Sequence, residues 1–445
     1  MKLETAADKI YPLTAAQADL IFEELALNKE QALNMNVLGF SVWIEHDFNA
    51  EALEKAFWKM IEVNDALRLK IFKKGFKYFQ YVQEIKPESL PRIEISDKAA
   101  LNRFMNEDKE TESISMCGDR LFKAVLGVNE KGSGGIVIRL HHACCDGTSF
   151  GIMFAQLDKY YNTFKNGEEV NEKKTYSVTK YFEQEQAYKK SKDLKNDFFW
   201  WLKKYLSQKK YSIPAGRRSS SNCESDTESI KIDGNTYMKL MDVCRENFCS
   251  IQSVLMTLAS ITTWVISGKE NFCFYTMSHG RTSIPLKRTV GCMVTTVPVF
   301  FRVSGDTAVK SFLGESYLDY LDTVSHSRMP FKYHIITSYL QSVKCGFNFM
   351  HGWMQYSAMD FANVMSKLSI DISILKQDYL CCQFYCGALD VTGKHAEIAL
   401  EYQTQKYSKD QITKFLDVHR KVIESAVNNP EIDLNTLKNQ VLKEI

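Results

Sequence analysis

The sequence lacks any excess of charge: 56 Lys and Arg against 54 Asp and Glu leave a formal net charge of +2 at pH 7. Without a basic surplus there is no electrostatic reason to expect nucleic acid or an anionic membrane as a partner. Metal-type cysteine spacing is missing as well. Twelve cysteines are present, but there is no CxxC pair and no zinc-finger spacing, and the two adjacent doublets, Cys144-Cys145 and Cys381-Cys382, make no framework. Reduced thiols in a cytoplasmic protein are the plain reading. No secretory signal opens the chain, because Glu4 and Asp8 interrupt the first ten residues. No internal repeat is visible.

One stretch lacks charge altogether. Asn247 to Gly268 carries no charged residue and is long enough to span a bilayer. Ser250, Gln252, Ser253, Thr257, Ser260, Thr262 and Thr263 nevertheless make it far more polar than a usual span. A helix buried inside a large α/β protein is expected there, and no membrane span.

What the chain does have is material for packing. Its 445 residues are 45% hydrophobic and 12% aromatic, too long for one ordinary core and enough for two or three lobes. Periodicity predicts helices over Thr14–Leu25, after the Asn49 cap, from near Thr148 past Tyr160, and in one long helix around Trp200-Trp201-Leu202. More helices are predicted over Thr236–Asn247, Ser250–Ile266, Val309–Ser325 and Tyr333–Gln341, and one from the Ser408/Gln411 capping box to about Val427. Strand patterns include Val37–Ile44, Leu67–Phe72, Tyr78–Gln83, Leu121–Val128, Ile136–His141, Phe272–Met277 and Val294–Val303. The same pattern recurs at Phe347–His351, Ser369–Leu375, Cys382–Gly387 and Ala396–Tyr402. Polar sequence at Lys165–Lys174 is the candidate linker between an N-terminal lobe, 1–172, and a C-terminal lobe, 173–445, while the Ser- and Arg-rich Ala215–Ser229 reads as a loop.

The chemistry is concentrated at one strand end. The apolar run Ile136-Val137-Ile138-Arg139-Leu140 leads into His141-His142, and Asp146-Gly147 follows before a helix. Successive strand residues face opposite sides, so the two histidines should not share a site unless the strand ends between them. One is then structural and the other free to act, which also disfavours a metal held by both. Cys144 and Cys145 beside the histidines raise a Cys–His nucleophile, although a free Cys also behaves as a small hydrophobe. Ser149, near the helix start, is either a cap or a contact to a reaction intermediate.

The run His141-His142-Ala143-Cys144-Cys145-Asp146-Gly147 resembles the HHxxxDG signature of the condensation domains of nonribosomal peptide synthetases, within the chloramphenicol-acetyltransferase-like superfamily. Weaker pieces follow in the family's order. Thr14-Ala15-Ala16-Gln17 is similar to the opening motif, with Asp19 where an Arg is usual, and Asn64-Asp65-Ala66-Leu67-Arg68 is similar to "HExLR". Phe199-Trp200-Trp201-Leu202 resembles the aromatic helix of the second lobe. Gly280-Arg281-Thr282 with Val290-Gly291-Cys292-Met293-Val294-Thr295-Thr296 resembles "GR…VGxFVNT", with Thr295 for the usual Asn. Met329-Pro330-Phe331 resembles "PFE" without its acid.

The resemblance implies an α/β fold of two chloramphenicol-acetyltransferase-like lobes in a V-shaped pseudo-dimer. Segments around Val290–Val297 and after Phe347 would cross over and close a channel at His142. It implies an amide-forming acyltransferase joining an acyl thioester to the amine of a carrier-bound aminoacyl group. His142 would act as base or as a positioning and charge-stabilising group, with Gly147 shaping the turn and offering its N–H. His141 would be a packing residue, and Asp146 would pair with Arg281 rather than with the imidazole. No metal and no intrinsic cofactor is implied. The substrates would arrive on phosphopantetheine, attached to acyl or peptidyl carrier proteins or as acyl-CoA. Alternatives within the superfamily are a CoA-dependent O- or N-acyltransferase, a non-catalytic docking domain and an epimerase. Because the first motif lies only about a dozen residues from Met1, a starter-type domain that N-acylates the first amino acid is expected.

Overall fold

In this computed structural model the structure describes residues 9–26, 36–107, 114–171, 176–207, 224–330, 347–349, 368–375, 384–390 and 396–444. The expected helix over Tyr333–Gln341 and the residues Phe331, Cys381 and Cys382 lie outside them. Two compact units divide the chain. The first holds the described residues up to Ser191, together with His279–Val294 and a strand at Asp371–Ile374; the second holds the remainder.

In the first unit β1 (Tyr11–Pro12) precedes α1 (Ala15–Ala26), then β2 (Val37–Ile44), α2 (Ala50–Val63), β3 (Leu69–Lys74) and β4 (Lys77–Val82) follow. After these come β5 (Arg92–Glu94), α3 (Lys98–Glu107), β6 (Phe122–Val128), β7 (Gly134–His141), α4 (Gly147–Lys165) and α5 (Val178–Lys190). Asn49 caps α2 as its sequence signals, its side chain accepting the Ala52 N–H. The main sheet has five strands in the order Asp371–Ile374, β2, β7, β6, β5, antiparallel except for the β5–β6 pair. All eight residues of β7 are buried, as a near-continuous apolar strand covered on both faces should be. Phe40 of β2 meets Phe150 and Phe154 of α4 edge-on. On the other face Val137 packs with Leu101 and Met105 of α3. Arg139, the one charged residue of β7, donates to the carbonyl of Met105 at 2.8 Å, satisfying an otherwise open acceptor at the end of α3.

The second unit begins with α6 (Lys192–Leu206), β8 (Ser225–Ile232), α7 (Gly234–Glu246), α8 (Ile251–Ser267) and β9 (Asn271–Ser278). Past a one-turn helix α9 (Ile284–Lys287), which lies in the first unit, it continues with β10 (Thr295–Arg302), α10 (Val309–Ser325) and β11 (Phe347–Phe349). With Asp371–Ile374 taken as β12, the rest is β13 (Phe384–Asp390), β14 (Ala396–Gln403), α11 (Lys409–Asn428) and α12 (Leu434–Lys443). Six strands form the order β10-β9-β11-β13-β14-β8. Helices α7, α8, α10, α11 and α12 bury one cluster with this sheet, and Trp201 and Tyr205 of α6 make a second with Cys273, Val297 and Phe300.

The uncharged stretch is α8, buried from Ser253 to Val265. Its hydroxyls turn back on the helix: Thr257 donates to Ser253 O, Thr262 to Leu258 O and Thr263 to Ala259 O, all within 2.9 Å. Satisfied in this way, they can sit in a core at little cost. Among the described residues no single helix is long and apolar enough to cross a membrane.

Two sequence expectations fail locally. The single long helix is broken at Ser191, whose extended backbone separates α5 from α6. Part of the expected loop Ala215–Ser229 is edge strand: β8 starts at Ser225, and its exposed, polar residues gave no apolar signal.

Glycine contrasts test the packing. A Cβ on Gly135 would lie 1.9 Å from the backbone oxygen of Val42 on the paired strand, whereas one on Gly151 of α4 would meet nothing within 4 Å. Gly135→Ala should therefore cost about 1–3 kcal/mol or more in chemical denaturation. Gly151→Ala should raise stability by about 0.5–1 kcal/mol.

Candidate active site

The site is built where β7 ends. His141 is the last strand residue, its N–H bonded to Leu121 O at 2.8 Å, and His142 opens a 3-10 turn, His142–Cys144. The strand therefore stops between the two histidines, and each side chain follows its own course. His141 is buried to 1% side-chain exposure and fully satisfied. Its Nδ1 accepts the Ala143 N–H at 3.0 Å, which places the proton on Nε2, 2.8 Å from the Glu24 carboxylate.

His142 is held differently. Its backbone N–H donates to Asn36 O at 2.7 Å, extending the β2–β7 ladder by one bond, and the residue as a whole keeps part of its surface exposed. Burial holds the imidazole below its ordinary pKa, opposed by backbone hydrogen bonding at His142 and by the Asp146 charge. The ring is thus neutral at neutral pH and able to accept a proton. Its Nδ1 lies 3.9 Å from Cys292 Sγ.

Asp146 turns to Arg281 in a two-pronged ion pair, Oδ2 to Nη1 at 2.7 Å and Oδ1 to Nη2 at 2.8 Å. Side-chain exposures of 1% and 0% make this pair one of the most enclosed charge contacts in the chain. Burial pushes the Asp146 carboxyl up, but the Arg281 guanidinium and the N–H groups of Met293 and Ser149 outweigh it, so the net shift is downward and the group is ionised. Asp146 also caps α4 in a capping box with Ser149.

The pair organises the loop around it. Arg281 donates onward to the carbonyls of His279, Thr289 and Gly291, each at 3.2 Å. Met293 N–H reaches Asp146 at 3.1 Å. Ser149 Oγ accepts the Gly291 N–H at 3.0 Å and donates to Asp146 at 2.9 Å, so this fully buried hydroxyl is taken up in holding the loop and is not free to meet an intermediate. Gly147 starts α4 with no left-handed φ, so glycine is not required there by the turn. The left-handed residue is Gly280, at φ 64°, where a Cβ would come 2.0 Å from Met293 O.

The thiols are inert. Cys144 and Cys145 are completely buried, and burial raises Cys145 well above the usual thiol range.

Sequence reasoning missed the supports beneath the loop. Thr14 and Gln17 form a buried reciprocal cap at the start of α1, and Gln17 Nε2 donates to Ala143 O at 3.0 Å. Gln17 and Gln80 exchange amide hydrogen bonds at 2.7 and 2.8 Å. The Thr-x-x-Gln spacing of a capping box was the available signal for Gln17; Gln80 and Glu24 carried none.

A neutral imidazole at a strand end, beside a loop held by a buried ion pair, can take up and return a proton. The condensation-domain family model matches residues 7–441, and the chain belongs to that family. Surfactin synthase subunit 1 of Bacillus subtilis (strain 168) is 22% identical over 451 residues, covering 98% of this chain; the chain spans 12% of that protein. Among solved structures, the X-domain from teicoplanin biosynthesis aligns with TM-score 0.79 at 14% identity, over 98% of this chain and 99% of the other. The starter condensation domain of rhizomide synthetase, in complex with C8-CoA, aligns with TM-score 0.77 at 14% identity, over 96% and 97%.

Two measurements follow. Removing one partner of the ion pair strands the other, so Asp146→Asn or Arg281→Met should cost about 3–5 kcal/mol in denaturant unfolding. In an NMR titration the His142 imidazole should have its midpoint below the ordinary value of about 6.5; a midpoint above it would contradict the burial argument.

Proposed function

We propose that the chain catalyses amide formation between an acyl thioester and the amine of a carrier-bound aminoacyl group, with His142 as the catalytic residue. The observation that carries this reading is the division of labour at the loop. Asp146 is committed to Arg281, and His141 to Glu24 and Ala143, which leaves His142 neutral and partly open.

The chemistry follows from that state. The amine attacks the thioester carbonyl, forming the C–N bond as the carbonyl pair moves onto oxygen. The proton lost by the nitrogen passes to the imidazole. Collapse of the tetrahedral intermediate breaks the C–S bond, and the leaving thiolate recovers a proton from the imidazolium. Positive charge on the ring also steadies the oxyanion while it exists. No resident cofactor enters this scheme.

Donor and acceptor are read as phosphopantetheine thioesters on acyl or peptidyl carrier proteins. Acyl-CoA is the donor favoured for an N-acylating, starter-type role. That choice is supported by the likeness to the rhizomide starter domain, whose structure holds C8-CoA. The reading takes the chain as two lobes, an N-terminal one, 1–172, and a C-terminal one, 173–445, with cytoplasmic synthesis as the setting.

His142→Ala should lower single-turnover amide formation by about 10²–10⁴-fold with little change in unfolding midpoint. The assay is mass-spectrometric detection of the acylated aminoacyl carrier, offered acyl-CoA and acyl-carrier donors side by side. Near-wild-type turnover by the variant would remove His142 from the mechanism. Reaction with carrier-bound aminoacyl or peptidyl donors alone would remove the starter reading.

A further inference from the structure

The segment His279–Val294 lies in the same unit as His142, and the backbone on either side of one of its residues is fixed by the buried ion pair. Gly291 is gripped at both ends of its peptide: its N–H by Ser149 Oγ at 3.0 Å and its carbonyl by Arg281 at 3.2 Å. Met293 is tied through its N–H to Asp146 at 3.1 Å. Between these two anchors stands Cys292, with 5% of its surface exposed and its Sγ 3.9 Å from His142 Nδ1. The same two charges that set the catalytic loop therefore also set how residue 292 meets the imidazole.

We infer that Cys292 is a positioning residue for His142, closing the Nδ1 edge of the ring against water so that Nε2 is the nitrogen presented to substrate. The inference rests on the reading of His142 as the acting group. A thiol suits this place physically. Sulfur is large and polarisable and fills the gap against the ring, and it is a weak hydrogen-bond partner. Burial keeps it as the neutral thiol, so it adds no charge that would hold the imidazole protonated. The other titratable groups acting on the ring are Asp146 and His141. Asp146 is neutralised by Arg281 and His141 is engaged by Glu24, so neither supplies the contact at Nδ1 that Cys292 makes.

Cys292→Ala and Cys292→Ser separate this role from simple packing. In Cys292→Ala, water gains the Nδ1 edge, so the His142 midpoint in the NMR titration should rise toward the ordinary value of about 6.5. Single-turnover amide formation should fall about tenfold with KM unchanged, because ring placement is lost and substrate contacts are not. Cys292→Ser, which keeps a small polar group against the ring, should recover most of the rate. Circular dichroism and unfolding midpoints of both variants confirm that the folded state is being read. An unchanged His142 midpoint together with an unchanged rate in folded Cys292→Ala would overturn the inference. The titration stands independently of the assigned reaction: a wild-type chain inert in amide formation would remove the function, while the midpoint shift alone would still decide the role of Cys292.

Discussion

Two opposite charges, Asp146 and Arg281, are buried together at 1% side-chain exposure or less, and the geometry of the site descends from that contact. Taking both groups out of water is expensive and is offset only when the pairing is close to ideal and the remaining donors and acceptors are occupied. Here both carboxylate oxygens meet the guanidinium, a backbone N–H from Met293 and the Ser149 group complete the carboxylate, and the two remaining Nη protons are shared among three carbonyls, while the buried Nε–H is left without a hydrogen bond. Each of those secondary bonds fixes a piece of chain. The start of α4, the peptides at Gly291 and Met293 and the turn at Gly280 are all held by one ion pair. Its hydrophobic replacement could be as stable, but would not specify the same set of backbone positions.

That arrangement explains why the carboxylate nearest in sequence to the histidines does not behave as the third member of a catalytic triad. A carboxylate bonded to the imidazole would raise its pKa and orient it. The burial that lowers the pKa of His142 and the separate engagement of Asp146 point the other way: toward a neutral ring, placed by packing and backbone. Its support is spread over the first unit. Asn36 holds its amide, Gln17 holds the carbonyl of the next residue, Ala143, and Glu24 pins His141.

The legible parts of the sequence were those in which a short rule has a single answer. Asn49 and the Ser408/Gln411 box cap the helices they were expected to cap, and β2 and α10 run over Val37–Ile44 and Val309–Ser325 as their periodicity requires. In the His141–Gly147 run, strand, turn and helix follow each other as its residues signal. Edge strands were harder. Residues of β5 and β8 are mostly exposed or half-exposed, so no apolar alternation marks them. The break at Ser191 was hidden because good helix formers flank it on both sides. Gln80 and Glu24 were illegible for another reason: a polar residue that is buried by tertiary contact looks in sequence like any surface residue. Their roles depend on partners 63 and 117 positions away.

The central claim is that the ion pair shapes the loop while His142 alone meets the reacting atoms. A crystal structure of the chain with a stable amide or thioether analogue of the acyl-transfer intermediate tests it most directly. The account predicts His142 Nε2 within about 3.2 Å of the nitrogen or carbonyl of the analogue, with Asp146 still paired to Arg281 through both oxygens. Asp146 turned away from Arg281 and bonded to the imidazole of His142 would contradict it.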